Sequence, residues 1–201
     1  MLLTKTAGAA IVTTAEAKAH MRVADTAEDA IIAALIDAAT THAEAYSGRA
    51  ARANTWVMLA EDYLDMETGE LTLRVADVGS ITAVERLKGA VWTAVPSSVY
   101  ELRQGLACSA IVEKYGQSWP MDYDTTSYPV RVTFVQARTA PLELFKAGIL
   151  RHVAQMFADR GDAEAVMTAG SPDGWTRTLT VESAKQSGAE AIYASFALAG
   201  I

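Results

Sequence analysis

The chain has one cysteine, Cys108, among 201 residues. That excludes an intramolecular disulfide and any site needing several thiolates, and it suits a reducing compartment; Cys108 itself reads as a small strand hydrophobe. No apolar run approaches the ~20 residues of a membrane helix, and the opening MLLTKTAGAAIV lacks a continuous apolar core of signal-peptide length. The chain therefore reads as soluble and unprocessed, with no membrane partner. Basic residues are in deficit, 17 lysines and arginines against 24 acids for a net charge of -7. With no concentrated basic face to neutralise phosphates, general nucleic-acid binding is excluded.

Catalytic signatures are absent as well: there is no Walker-type phosphate loop, nucleophile elbow or dinucleotide fingerprint. His20, His42 and His152 fall in three separate expected helices without HExxH-type spacing, so a metal site would have to arise wholly from tertiary proximity. Acidic residues gather at Glu61, Asp62, Asp65 and Glu67 and again at Asp122 and Asp124. Cation binding or paired-carboxylate chemistry is one reading of them; solvated turns joining strands is the favoured one. Arg160-Gly161-Asp162 reads as a helix stop, glycine being the usual terminator, and not as an adhesion motif. No catalytic residue, metal or cofactor is expected, and the chain does not read as an enzyme.

What is present is ordinary globular chemistry, 51% hydrophobic and 20% charged. Thr13 and Glu16 have capping-box spacing and open a short helix near 14–22. Asp25 or Thr26 then supplies an N-cap for a helix over about 27–46, whose apolar face carries Ile31, Ile32, Leu35, Ile36, Ala39, Ala43 and Tyr46 until Ser47-Gly48 ends it. A third helix, 141–160, starts with Pro141 in its first turn and shows Leu144, Phe145, Ile149, Val153, Met156 and Phe157 on one side. Between them TWVML, LTLRV, ITAVERL, VWTAV, SVYEL, SAIVEKY and VRVTFV read as strands. Thr68-Gly69, Lys88-Gly89 and Gln104-Gly105 mark hairpin tips, where glycine supplies positive φ, and an antiparallel meander is the natural arrangement. The expected fold class is α+β: a small α-helical bundle with a central antiparallel β-rich insertion at about 54–136. A domain over 1–162 would be followed by an extended C-terminal tail, 163–201.

Two places suit partner contacts. Trp119 and Pro120, in a loop with Tyr115, Tyr123 and Tyr128 nearby, form either an aromatic docking patch or, as the favoured reading, a satellite core under the loop. The tail ends in Ile192, Tyr193, Phe196, Leu198 and Ile201, and apolar termini of this kind dock. Packing on the chain's own domain and docking on a partner compete evenly here. The second reading expects the tail to be removable without loss of the fold.

In order and spacing, TAEAKAHMRV followed by DTAEDAIIAALIDAATTHAEAYSGRA resembles the opening of the head-tail connector, or adaptor, family of long-tailed phages and gene transfer agents. VYELRQG, the WP loop, VRVTF and PLELFKAGILRHVAQMFADRGD resemble the rest of a subfamily with a β-rich insertion, so the likeness covers most of Thr13 to Asp162. Gln136-Ala137-Arg138 departs from it, standing where a glycine is common. The resemblance implies a dodecameric ring in the neck of a virion or phage-like particle, assembled in the bacterial host cytoplasm. In such a ring the subunit joins the portal protein to stopper or tail-terminator proteins, DNA passes through the lumen without specific binding, and no catalytic residues carry over. The alternatives are a tail-completion or other neck or tail structural protein and, in a different class, a small-ligand or metal-dependent enzyme using the acidic loops and His152.

Overall fold

The structure is a computed structural model that describes residues 1–62, 70–105, 108–137, 142–159 and 182–197. It divides into a β unit, Met1–Ala9 with Arg52–Thr139, and a helical unit, Ala10–Ala51 with Ala140–Ile201. These boundaries differ from the expected split at 162. The first nine residues join the strands, and the end of the chain joins the helices.

In the helical unit, α1 (Thr14–Met21) begins as its capping box requires. The Thr13 hydroxyl accepts from the Glu16 N–H at 3.1 Å, and Glu16 Oε2 accepts from the Thr13 N–H at 2.7 Å. Helix α2 (Asp29–Ser47) starts later than expected, with Glu28 at the N-cap and no side-chain cap. Asp25 instead accepts from the Ala27 N–H at 3.0 Å, an Asx turn that shapes the approach. Gly48, at φ 66°, closes α2 as foreseen. Helix α3 spans Leu142–Asp159, so Pro141 lies outside the described residues. Residues 182–186 are helical, and α4 (Ala189–Ala194) follows. Ile32, Ile36, Ala39 and Ala43 of α2 bury against Phe145, Ile149, Val153 and Met156 of α3. The buried stripe is narrower than the expected face. Ile31, Tyr46 and Leu144, at the stripe's margins, are 47%, 44% and 43% exposed.

The β unit has eight strands in the described residues: β1 (Leu2–Thr6), β2 (Asn54–Ala60), β3 (Leu71–Leu73), β4 (Val78–Lys88), β5 (Val91–Ala94), β6 (Tyr100–Arg103), β7 (Ser109–Glu113) and β8 (Val130–Gln136). They form antiparallel sheets in the orders β1-β2-β8-β4-β5 and β3-β7-β6. This corrects the expected meander, because the last strand enters the centre of the larger sheet. Alternating burial along β8 places Val130, Val132 and Phe134 in a core shared with Met58, Leu73, Val84 and Ile111. Strand β1 was not expected. It is an edge strand exposed at most positions, so it shows no alternation, and its pairing with β2 from Leu2↔Leu59 to Thr6↔Thr55 creates it.

Of the expected hairpin tips, Thr68-Gly69 lies outside the described residues. Gly89 and Ala90 make a two-residue connection between β4 and β5, at φ 58° and 62°. Gly105 is there for space and not for positive φ: a Cβ on it would lie 2.2 Å from the Cys108 carbonyl oxygen. Cys108 is exposed, which corrects its reading as a strand hydrophobe. Gln136 completes β8. Its Oε1 accepts from Asn54 Nδ2 and Trp56 Nε1 at 3.3 and 3.1 Å, and its Nε2 donates to the Ala76 carbonyl at 2.9 Å.

Candidate interaction surfaces

The WP loop is held by polar contacts to the strands beside it. Asp124 accepts from the Gly89 and Ala90 N–H groups, both at 2.9 Å, and those two bonds hold its carboxyl below the usual carboxylate range. Asp122 pairs with Arg86 and Lys88, and Tyr123 donates to Asp62 Oδ1 at 2.9 Å. Asp122 and Asp124 thus clasp the loop to the β4–β5 hairpin while remaining turn residues open to solvent, and Asp62 holds it to the end of β2. Asp65 and Glu67 fall outside the described residues. Trp119 is 4% exposed and stacks on Tyr100, with ring centroids 5.9 Å apart and planes 11° apart. Its backbone N–H donates to Glu113 Oε1 at 2.7 Å. The loop therefore packs into the main core of the β unit and not over a separate satellite core; Pro120 is half-buried, and Trp119 is an anchor within that unit. Tyr115 is fully exposed, and Met121 and Tyr128 are also exposed.

The tail behaves differently from an extended arm. Ala189 and Tyr193 lie in the helical core at 0% exposure. The Phe196 ring lies 4.5 Å from that of Phe145, and Ile192 is half-buried. Gly148 on α3 is the socket for Tyr193: a Cβ there would come within 2.5 Å of the ring. Tyr193 thus takes the self-packing reading. Removing 189–201 takes core side chains with it, which corrects the expectation that the tail can be cut without loss of fold. Leu198, Ile201 and the Arg160-Gly161-Asp162 tripeptide lie outside the described residues.

Tertiary proximity brings together residues that sequence spacing kept apart. His42 on α2 and buried His152 on α3 meet edge to face at 5.3 Å, and both rings lie near Tyr193, at 6.3 and 6.4 Å. Glu190 Oε1 lies 3.9 Å from His42 Nε2. Burial pushes the His42 imidazole below its ordinary value, with Glu190 acting in the opposite sense. No group of three or more His, Cys, Asp or Glu able to hold a metal occurs among the described residues, and none of their helices is long and apolar enough to cross a membrane. No sequence signal joins positions 42, 152 and 190, since the periodicity gives each helix its face and not its neighbour.

Residues 12–91 match the family described as Phage gp6-like head-tail connector protein. Among solved structures, the chain is similar to one from the virion of a native gene transfer agent (GTA) particle, with a TM-score of 0.63 and 23% identity over 90% of this chain and 94% of that chain. It is similar to a chain from the neck of an empty GTA particle computed with C6 symmetry, with a TM-score of 0.60 and 22% identity over 91% and 95% of the two chains. A third likeness is to the neck of a native GTA particle computed with C12 symmetry, with a TM-score of 0.56 and 22% identity over 91% and 94%. No curated protein matches.

Proposed function

We infer that the chain is a structural head-tail connector subunit of a gene-transfer-agent-like particle neck, in which the α1–α2 pair supplies the scaffold. The observation that carries this reading is the coincidence of two independent likenesses. The connector family match falls on residues 12–91, and the fold likeness extends over 90% of the chain. The family is a structural one, so the chain is not read as an enzyme. A neck reconstruction with C12 symmetry supports a ring of twelve copies. A closed ring needs two different flanks on each subunit. A net charge of -7 suits a subunit past which DNA moves without being gripped.

In this reading the ring joins the portal protein above to stopper or tail-terminator proteins below, and it assembles in the host cytoplasm. The anchor is the apolar terminus, with Leu198 and Ile201 as its leading residues and Ile192 and Phe196 behind them. The rigid WP loop, which presents Tyr115 and Met121 around the Trp119–Pro120 anchor, supplies the other contact. The test is removal of 198–201, which spares the Tyr193 packing. Portal co-purification should fall at least tenfold with an unchanged circular dichroism spectrum and melting temperature; full-yield co-purification would exclude the anchor.

A further inference from the structure

The seat of α4 on α2 and α3 combines close fit with poor polar satisfaction. The fit is the Tyr193 ring in the space that Gly148 leaves open. The Tyr193 hydroxyl is buried, and no described group donates to it or accepts from it; buried His42 Nε2 likewise has no described hydrogen-bond partner. A buried polar atom without a bond costs free energy that undocking would return, because water then supplies the bond. The α4 interface is therefore the place in the helical unit where packing and polar chemistry oppose each other.

We propose that α4 is a pH-sensitive latch, docked at neutral and alkaline pH and released in mild acid by protonation of His42 beneath it. The groups facing that imidazole are Tyr46 on its own helix, His152 on α3, and Glu190 and Tyr193 on α4. Protonation makes both ring nitrogens donors in a seat where, among the described residues, Glu190 at 3.9 Å offers a countercharge without a hydrogen bond. Burial of this ring, whose Nε2 has no described hydrogen bond, disfavours its charged form more than that carboxylate favours it, so docking holds the imidazole below its ordinary value. Docking is then at full strength above the free imidazole range, near pH ~6.5, and weakens as pH falls through it, because the undocked state binds the extra proton. Release would free Tyr193 and Phe196 for a partner. The latch rests on the reading of this terminus as a partner anchor and enlarges that anchor in acid, by Tyr193 and Phe196, beyond the contact made at neutral pH.

Hydrogen-exchange mass spectrometry on the full chain at pH 7.5 and 5.5, with rates corrected for intrinsic exchange, tests it. Protection across α4 should fall severalfold relative to α1 and β8, with about tenfold the ceiling for one imidazole of free pKa ~6.5. In His42→Gln the fall should shrink at least threefold. Tyr193→Phe, which removes the unbonded hydroxyl and keeps the ring, should raise α4 protection at pH 7.5. Equal α4 protection at both pH values, a fall shared in step by α1 and β8, or an undiminished fall in His42→Gln would overturn the latch. Portal co-purification with the 198–201 truncation at pH 7.5 judges the anchor separately and does not depend on release.

Discussion

Ala90 shows how a single backbone position reports on its neighbours. An alanine at φ 62° carries a left-handed cost of about 1–2 kcal/mol, and the two amide bonds to Asp124 help to hold it there. Ala90→Gly removes that cost, so the variant should be more stable by up to about 1 kcal/mol, offset by glycine's greater entropy when unfolded. Urea denaturation checks this; a destabilised variant would mean that Ala90 is not strained. Gly148 presents the opposite case. Alanine in a helix interior ordinarily gains about 1 kcal/mol over glycine. Here its Cβ would lie 2.5 Å from a fully buried aromatic ring, and overpacking of that kind costs about 1–3 kcal/mol. Strain wins, so Gly148→Ala should lower the denaturation midpoint or displace α4. Neither position could be judged from sequence. Gly89 was legible as a tip glycine, but the left-handed Ala90 beside it and the Tyr193 socket are tertiary facts.

At the scale of elements, local chemistry was legible and partner choice was not. The capping box at Thr13 and Glu16 appears as written, because both partners lie within one helical turn. The same Glu16 also accepts from Lys146 on α3 at 2.7 Å, a bond no spacing rule could supply across 130 residues. The Lys146 bond, then those from the Thr13 backbone and hydroxyl, hold the Glu16 carboxyl down to about 2. A depressed carboxylate contributes stability above its unfolded range near pH ~4.5 and loses it as pH falls toward the folded value. The tie between α1 and α3 should therefore weaken between about pH 4.5 and 2. In Lys146→Met, the loss of stability from pH 6 to pH 3, followed by urea unfolding, should be smaller than in the parent chain; an equal loss would show that Lys146 is not a main cause. Strand β1 was invisible for a related reason. An exposed edge strand needs no buried face, so the two-residue period that reveals a strand is missing.

For the whole molecule, the succession of elements carried more information than any element did. A helix pair with one apolar face is common to many bundles. Joined to a β-rich middle, the WP loop and the Leu142–Asp159 helix, it resembles a connector pattern, of which the family match covers residues 12–91. The entry of β8 between β2 and β4 could not be read in advance, because strand hydrophobicity gives burial and not order. The tail was legible as apolar, but its seat on α3 depends on a glycine 45 residues earlier in the chain. We read this chain as a ring subunit of the neck, and reconstruction of the assembled particle's neck by electron cryo-microscopy decides the matter. The reconstruction should show a ring of this fold between portal and tail, and particles made without the chain should be DNA-filled heads without tails. Intact tailed particles assembled without the chain, or its density in the tail tube and not in the neck, would contradict that reading.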